Sequence, residues 1–276
     1  MHTDHFYTQG TLHKENQDYA LSGHIDNESP FAIVSDGCSS AHSSDFGARL
    51  LTRASLPYIY KKAFDHDAFY HGVLTSAHTF SRALGLHDDS LCATLLTARI
   101  RDDKFEVLVA GDGFVAFKDK QGILKVHQYD FESGAPFYLR YDLDADIRQG
   151  YFEKFGTEAH WNTYTFAPGK EPEVEKRTFN VDPAYPCFYI EQPVSETEFV
   201  AVLSDGAANF VKLVETSTGK ENKRVDPVEV LPPLLSFKNL NGEFVQRRCN
   251  RAFKDFKKNG YQNTDDVSVS VIATGG

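Results

Sequence analysis

Three segments of the chain share one local pattern, in which a run of apolar, strand-forming residues ends in Asp-Gly. They are Ala32–Gly37 (AIVSDG), Val109–Gly113 (VAGDG) and Val202–Gly206 (VLSDG). A fourth segment places Asp265 and Asp266 directly before the apolar run 267–272. Short apolar runs bounded by turn residues are typical of buried strands. We therefore expect a fold built on buried strands that carry carboxylates at their ends.

The rest of the chain predicts helices grouped around two sets of strands, which favours an α+β layered sandwich over a parallel doubly wound sheet. Strands are expected at 6–9, 18–22, 31–35, 92–100, 104–110, 114–118, 124–128, 177–181, 187–191, 199–203 and 267–272. The four strands from 92 to 128, with turns at 102–103 and 119–122, are interpreted as a meander. Helices are expected from Ser43 or Ser44 to about 62, and at 66–86, 207–214, 227–235 and 242–258.

No linker divides the sequence, so a single domain over residues 1–276 is expected. The stretch from about 129 to 172 is rich in Asp, Gly and aromatic residues and has weak periodicity. We interpret it as a variable insertion or lid whose secondary structure the sequence does not predict.

Charge and composition exclude several classes of protein. With 29 basic against 39 acidic residues, the formal net charge of −10 argues against a general nucleic-acid binder. The basic stripe within 247–258 is interpreted as the solvated face of an amphipathic helix. No apolar run is long enough to span a bilayer, and the N-terminus lacks the pattern of a secretory signal, so a cytoplasmic protein without membrane association is expected. The four cysteines are scattered, without the C-x-x-C pairs typical of zinc sites.

The acidic strand ends point to metal chemistry. Carboxylates that converge at the mouths of buried strands are poorly solvated and repel one another unless a cation neutralises them. Oxygen donors of this kind suit Mg²⁺ or Mn²⁺. A single Asp-Gly after a strand is more often an ordinary turn, so the prediction depends on several such strand ends meeting.

Four ordered blocks give the sequence a resemblance to the PP2C-type metal-dependent serine/threonine protein phosphatases, in their divergent bacterial branch. The blocks are HKENQD (13–18), VSDGCSSAHSSDFGARL (34–50), AGDGF (110–114), and LSDG (203–206) with TDDVSV (264–269). They extend over nearly the whole chain. The resemblance implies a PP2C-like β-sandwich flanked by helices, in α-β-β-α layers.

The resemblance also implies a binuclear Mn²⁺ or Mg²⁺ centre. Asp36 would bridge both ions, the Gly37 carbonyl would bind one, and Asp205 and Asp265 would hold the other. Asp112 matches a position that some members use for a third, weaker ion.

Asp18 falls where the family has an acid that contacts metal-bound water. A water between two dications loses proton affinity and can attack a phosphomonoester in line. The implied activity is hydrolysis of phosphoserine and phosphothreonine in proteins, in signalling with a partner kinase or its targets.

Two departures from the family pattern bear on substrate and metal binding. His13 stands where well-studied members have a phosphate-binding Arg, and an imidazole cannot make the bidentate contact of a guanidinium. Lys14 is a candidate to replace that contact. Gln17 stands where many members have a Glu that binds metal through water.

These departures leave open a second interpretation, a catalytically weak or inactive PP2C-like domain that senses or scaffolds phosphoproteins. A metal adhesion module with a D-x-S-x-S signature is disfavoured, because Cys38 interrupts that pattern.

Overall fold

The computed structural model describes residues 1–25, 29–59, 66–216 and 219–275. Its strands are β1 (His2–Thr8), β2 (Asp18–Ile25), β3 (Ser29–Asp36), β4 (Leu95–Arg101), β5 (Lys104–Ala110), β6 (Gly113–Asp119), β7 (Leu124–Phe131), β8 (Glu158–Phe166), β9 (Glu173–Asn180), β10 (Cys187–Pro193), β11 (Thr197–Leu203), β12 (Phe210–Thr216), β13 (Gly219–Arg224), β14 (Tyr261–Asn263) and β15 (Val267–Ala273). Its α-helices are α1 (Ser44–Ile59), α2 (His66–Ala83), α3 (Ala145–Phe155), α4 (Pro227–Leu235) and α5 (Phe244–Lys258).

Two antiparallel sheets form the centre of the molecule. The first has the strand order β1-β15-β11-β6-β7-β8-β9, and the second has the order β10-β5-β4-β3-β2. The C-terminal half of the chain also forms a small third sheet, with the strand order β13-β12-β14. The two large sheets place the ends of β3 and β11, both predicted to carry acids, in facing layers.

Three hydrophobic clusters account for the layers. The cluster between the sheets is built from small and branched side chains on their facing sides, such as Val34, Val109 and Val202. A second cluster packs α1 and α2 on the outer face of the second sheet, and a third packs α4 and α5 on the outer face of the first. Burial of apolar surface on both faces of each sheet is what holds four layers together. The predicted α+β sandwich with helices on its outer faces is confirmed.

The predicted meander from 92 to 128 is wrong. Strands β4 and β5 form a hairpin in the second sheet, whereas β6 and β7 form a hairpin in the first. The chain crosses between the sheets at Asp112, which Gly111 and Gly113 flank with φ angles of +96° and +135°. These backbone conformations are open to glycine and strained for other residues, so the crossing can be tight. Sequence periodicity could not reveal this crossing, because two hairpins have the same local pattern whether they belong to one sheet or to two.

The turn predicted at 102–103 is confirmed. Asp102 and Asp103 both have positive φ angles, 47° and 58°, and they connect paired residues Arg101 and Lys104. A two-residue hairpin loop requires this backbone hand, and Asp tolerates it better than most side chains.

The helix predicted at 207–214 is wrong. A single 3₁₀ turn covers Asp205–Ala208, and Phe210–Thr216 is strand β12, paired with β13 and β14. The β-branched residues of this segment favour a strand once partners are available on both sides. The other helices begin and end within a few residues of their predicted bounds, except that the predicted C-terminal end of the first helix lies outside the described residues.

The stretch 129–172 contains regular structure. It completes β7, then forms a 3₁₀ helix (Leu139–Leu143), α3 and β8. Asp144 caps α3 by accepting hydrogen bonds from the backbone amides of Asp146 and Ile147. In the described part of the chain, no helix combines the length and the apolar character needed to cross a membrane.

Candidate metal centre

Four acidic side chains from separate parts of the sequence face one pocket of about 430 Å³. Asp36 ends β3, Asp205 follows β11, Asp265 precedes β15, and Asp112 lies at the crossing between the sheets. His13 also lines this pocket. The facing sheets bring the four acids together because β3, β11 and β15 present these ends at the same edge of the sandwich.

The acidic side chains of the pocket have raised pKa values, because they are buried close to one another. Burial raises the pKa of Asp36 well above its ordinary value, and the charges of Asp18, Asp205 and Asp265 raise it further. The pKa of Asp112 is also raised well above its ordinary value, first by burial and then by neighbouring carboxylates. Burial and the charge of Asp265 likewise raise the pKa of Asp205. Like charges held this closely favour a cation among them.

Asp18 lies behind Asp36, as its directly paired residue on β2. Its side chain is fully buried, and its Oδ2 accepts a hydrogen bond from Ser204 Oγ at 2.6 Å. Its Oδ1 is buried without a hydrogen-bond partner among the described residues. Burial raises the pKa of Asp18 to about 7. A buried carboxylate oxygen without a donor is costly and is a sign of an interaction yet to be completed.

Gly37 allows the chain to pass close to the start of α1. A side chain there would begin 2.8 Å from the backbone carbonyl of Ser44 and 3.0 Å from that of Gln17. The amide of Gly37 donates to the Gln17 carbonyl, and Gly37 also bridges Ala93. These contacts fix the backbone that follows Asp36.

His13 is held by two carboxylates. Its Nε2 lies 3.3 Å from Asp265 Oδ1, and its Nδ1 lies 3.1 Å from Asp266 Oδ2. Burial acts to lower the pKa of His13, but the hydrogen bond and charge of Asp266, with the charges of Asp265 and Asp18, outweigh it and raise the pKa. The imidazole is therefore more readily protonated than in water.

The other two residues discussed at this end of the chain do not face the pocket. Lys14 is exposed and does not line it. Gln17 donates from Nε2 to Ser44 Oγ at 2.8 Å, so its side chain contacts the start of α1.

Asp266 has a role that the sequence did not predict. Its Oδ1 accepts from the amide of Gly10 at 2.7 Å, and its Oδ2 accepts from the amide of Gln17 at 2.6 Å. With His13 as a third partner, this buried carboxylate ties the loop between β1 and β2 to the start of β15. Two neighbouring acids thus differ: Asp265 faces the pocket, whereas Asp266 faces the protein.

Asn209 is a further residue that sequence reasoning missed. Its Nδ2 lies 3.1 Å from Asp205 Oδ2 and 3.1 Å from Asp265 Oδ2, and so it joins two of the pocket acids. Arg224 donates to Asn209 Oδ1 at 3.0 Å, which fixes the orientation of the amide. Only its place four residues after Asp205 could have drawn attention to it.

One wall of the pocket comes from the stretch 129–172. It is formed by Gly134, Ala135, Pro136, Tyr138, Tyr141 and Phe155. The predicted insertion therefore shapes the space above the acids with aromatic and small side chains.

The donor set fits hydrated divalent ions. In the part of the chain that the structure describes, no three His, Cys, Asp or Glu side chains form a group that could by itself hold a metal ion. Mg²⁺ and similar ions need no such group, because they bind through one or two carboxylates and keep several waters. The raised pKa values of the pocket acids and the unpartnered Oδ1 of Asp18 are the features that such ions would relieve.

Comparisons with known proteins agree with the motifs and the fold. The family model "Protein phosphatase 2C" matches residues 11–132, which contain the first three motif blocks. Solved structures with similar folds include the serine/threonine phosphatase Stp1 from Staphylococcus aureus, at 10% identity and TM-score 0.55, covering 100% of this chain and 96% of that one. Another is the Mycobacterium tuberculosis serine/threonine phosphatase PstP/Ppp, at 11% identity and TM-score 0.50, covering 99% and 98%. A structure described as a bacterial serine phosphatase has 10% identity and TM-score 0.56, covering 99% and 98%.

No functionally curated protein matches the sequence. The resemblance to the PP2C-type phosphatases is nevertheless confirmed by the family match over residues 11–132, and the solved structures share the fold over nearly the whole chain.

Proposed function

We propose that this chain is a protein phosphatase that hydrolyses phosphoserine and phosphothreonine with two Mn²⁺ or Mg²⁺ ions. The observation that carries the proposal is the meeting of four strand-end carboxylates in one pocket, next to a buried Asp18 with an unpartnered oxygen. The similar structures are phosphatases by their descriptions, which supports the same reaction class here.

Each residue has an expected role. Asp36, the Gly37 carbonyl, Asp205 and Asp265 would hold the two ions. Asp112 would be available to a third ion. The ions, when bound, would lower the pKa of water and neutralise the charge of the phosphoryl oxygens.

The protein itself contributes charge and positioning. Asp18, fixed by the hydrogen bond from Ser204, would accept a hydrogen bond at Oδ1 from water held by the ions. His13, kept readily protonated by its two acids, would place a positive charge in the lining of the pocket, which favours a phosphate group there. The wall of Tyr138 and Tyr141 limits the approach of the phosphorylated segment. Substrates would be phosphoproteins, with a Ser/Thr kinase acting on the same targets.

Metal-dependent turnover tests this proposal. Purified protein would be assayed with Mn²⁺ on phosphoserine and phosphothreonine peptides, beside Asp36→Asn and Asp205→Asn. Loss of a metal-binding carboxylate should reduce activity by at least about 100-fold. Asp103→Asn is the matched control, because Asp103 lies in an exposed turn with a positive φ that Asn also tolerates.

A catalytically weak phosphoprotein-binding domain is the second candidate. It is favoured by the contacts that hold His13 on Asp265 and Asp266 and turn Gln17 toward Ser44. Calorimetry with Mn²⁺ distinguishes the two: binding of two ions with turnover supports the enzyme. Absence of both metal binding and turnover supports the scaffold.

A further inference from the structure

Cys38 and Cys92 lie opposite each other at the end of the second sheet, beside the acidic pocket. Gly37 and Ala93 form an antiparallel bridge, and Cys38 and Cys92 are the next opposite pair, in which the Cys38 amide donates to the Cys92 carbonyl at 2.8 Å. Residues opposite each other in a hydrogen-bonded pair have Cα atoms about 5.5 Å apart and present their side chains on the same face. The Cα atoms joined by a disulfide bond are about 4.4–6.8 Å apart, so this spacing suits one.

The surroundings of the two thiols place them in one space. Burial, followed by the charges of Cys92 and Cys38, raises the pKa of Tyr141 to about 12. Both sulfur atoms therefore lie near the same hydroxyl, because such effects weaken with distance. Both cysteines are free thiols in the structure, and Cys38 Sγ lies 3.2 Å from Ser40 Oγ. A change of the Cys38 rotamer, with the backbone in place, is the expected difference between the thiol and disulfide forms.

The two thiols differ in access to solvent. Cys38 is half-buried and lines the acidic pocket, whereas Cys92 is 8% exposed and does not line it. Burial raises the pKa of Cys92 to about 12. A small oxidant that enters the pocket therefore meets Cys38 first, with Cys92 behind it as a second thiol. An accessible cysteine next to a second cysteine is the usual arrangement of a reversible oxidation site.

We propose that Cys38 and Cys92 form a reversible disulfide when a peroxide enters the acidic pocket. The Cys38 sulfur attacks hydrogen peroxide: an S–O bond forms, the O–O bond breaks, and the thiol proton leaves with the other oxygen as water. The Cys92 sulfur then attacks the Cys38 sulfur: the S–S bond forms, the S–O bond breaks, and the Cys92 proton leaves with the hydroxyl as a second water. The two sulfurs lose two electrons, which the peroxide gains. A dithiol reverses the modification by thiol–disulfide exchange.

The disulfide would alter the acidic pocket. Cys38 directly follows Gly37, and its carbonyl accepts a hydrogen bond from Ser44 Oγ at 2.9 Å at the start of α1. The new bond would tie this segment to the one before β4 and draw the Cys38 sulfur away from Ser40. The effect on metal and phosphate binding rests on the proposed function. The modification site does not, because it needs only the two thiols and a peroxide.

Peptide mapping by mass spectrometry tests the proposal without reference to catalysis. The folded protein is treated with a few-fold molar excess of hydrogen peroxide and digested without reduction. The peptides that contain Cys38 and Cys92 should be linked, two hydrogen atoms lighter than their sum, and dithiothreitol should separate them. Cys249, fully buried in another cluster, should stay reduced. Because the bond closes a long loop, it should raise the Tm measured in EDTA by at least about 4 °C.

Single variants separate the two thiols. Cys92→Ser should give no link and should leave Cys38 as a sulfenic acid that dimedone labels, whereas Cys38→Ser should react at neither position. Cys187→Ser is the matched control, because Cys187 is half-buried like Cys38 but lies on β10, and this variant should form the link as the wild type does.

Three results in the wild type overturn the proposal, and none depends on a variant folding. The first is the absence of a link between Cys38 and Cys92 after peroxide treatment. The second is a link from Cys38 to Cys187 or to a second molecule instead. The third is a link that lowers the Tm, which would show that the native positions of the two residues do not accept the bond. Since the mapping needs no turnover, a failure of the proposed function leaves its result unaffected.

Discussion

Asp265 and Asp266 are adjacent in sequence but have different roles in the structure. Substituting them one at a time separates those roles. Asp266 is 1% exposed and accepts two backbone amides, from Gly10 and Gln17, besides the contact with His13. Asp265 instead faces the pocket, where its charge repels Asp36 and Asp205 and its contacts with His13 and Asn209 are only partly buried. Asp266→Ala should therefore destabilise the metal-free protein, and Asp265→Asn should not.

The size of the effect follows from the contacts. A hydrogen bond to a charged group contributes about 1.5–3 kcal/mol, and a buried donor left without a partner adds its desolvation cost. The hydrogen bond from the Gln17 amide is only partly buried, so water can bind that amide after the substitution. We therefore expect Asp266→Ala to lower the free energy of unfolding by about 3–4 kcal/mol. For a domain of this size that is a fall in Tm of about 6–15 °C.

Thermal unfolding in EDTA, followed by circular dichroism, measures this difference. Asp265→Asn should unfold at the wild-type temperature or slightly above it, since one of the repelling charges is gone, but Mn²⁺ should no longer raise its Tm as it does for the wild type. The reasoning is refuted if Asp266→Ala unfolds within about 2 °C of the wild type. It is refuted equally if Asp265→Asn proves the less stable variant.

Two further predictions concern stability away from the pocket. Glu106→Gln should lower the free energy of unfolding in urea by about 3–5 kcal/mol, because it leaves the buried Arg99, whose Nε donates to Glu106 Oε2 at 2.7 Å, without its counter-charge. The exposed Glu191→Gln should cause no measurable change. Equal losses of stability in both variants would contradict the argument. Burial lowers the pKa of His127 to about 4, so the unfolded chain takes up a proton from pH 6.5 downward before the folded one does. The folded protein therefore loses free energy of unfolding as pH falls from 6.5 to 4, and His127→Gln should remove about 2–3 kcal/mol of that loss. If the free energy of unfolding of the variant and of the wild type depends on pH in the same way, the attribution to His127 is wrong.

The position of the acidic residues at strand ends was predictable, because it depends only on residues that are neighbours in sequence. Asp36 and Asp205 each end an apolar run, and Asp265 precedes one, so the sequence alone placed them at strand ends. The hairpin at 102–103 and the amphipathic helix α5 were predictable for the same reason, since neighbours in sequence determine turn chemistry and helix periodicity.

Other features depend on contacts between distant residues. Helix and strand were confused at 207–214 because β12 owes its form to partners on β13 and β14, one of which lies some fifty residues away. The roles of Asp266 and Asn209 were missed because their partners come from other segments: Gly10 and Gln17 for the first, Arg224 for the second.

The sequence by itself determined that acids would stand at the mouths of buried strands, because hydrophobic runs and the turns that end them are properties of adjacent residues. Only the tertiary structure decided that β5 and β6 belong to different sheets, that Asp112 therefore reaches the acidic pocket, and which of two neighbouring aspartates faces it. The physical reason is that strand pairing and side-chain burial are settled by packing between layers, and the energy of that packing resides in contacts that no short window of sequence contains.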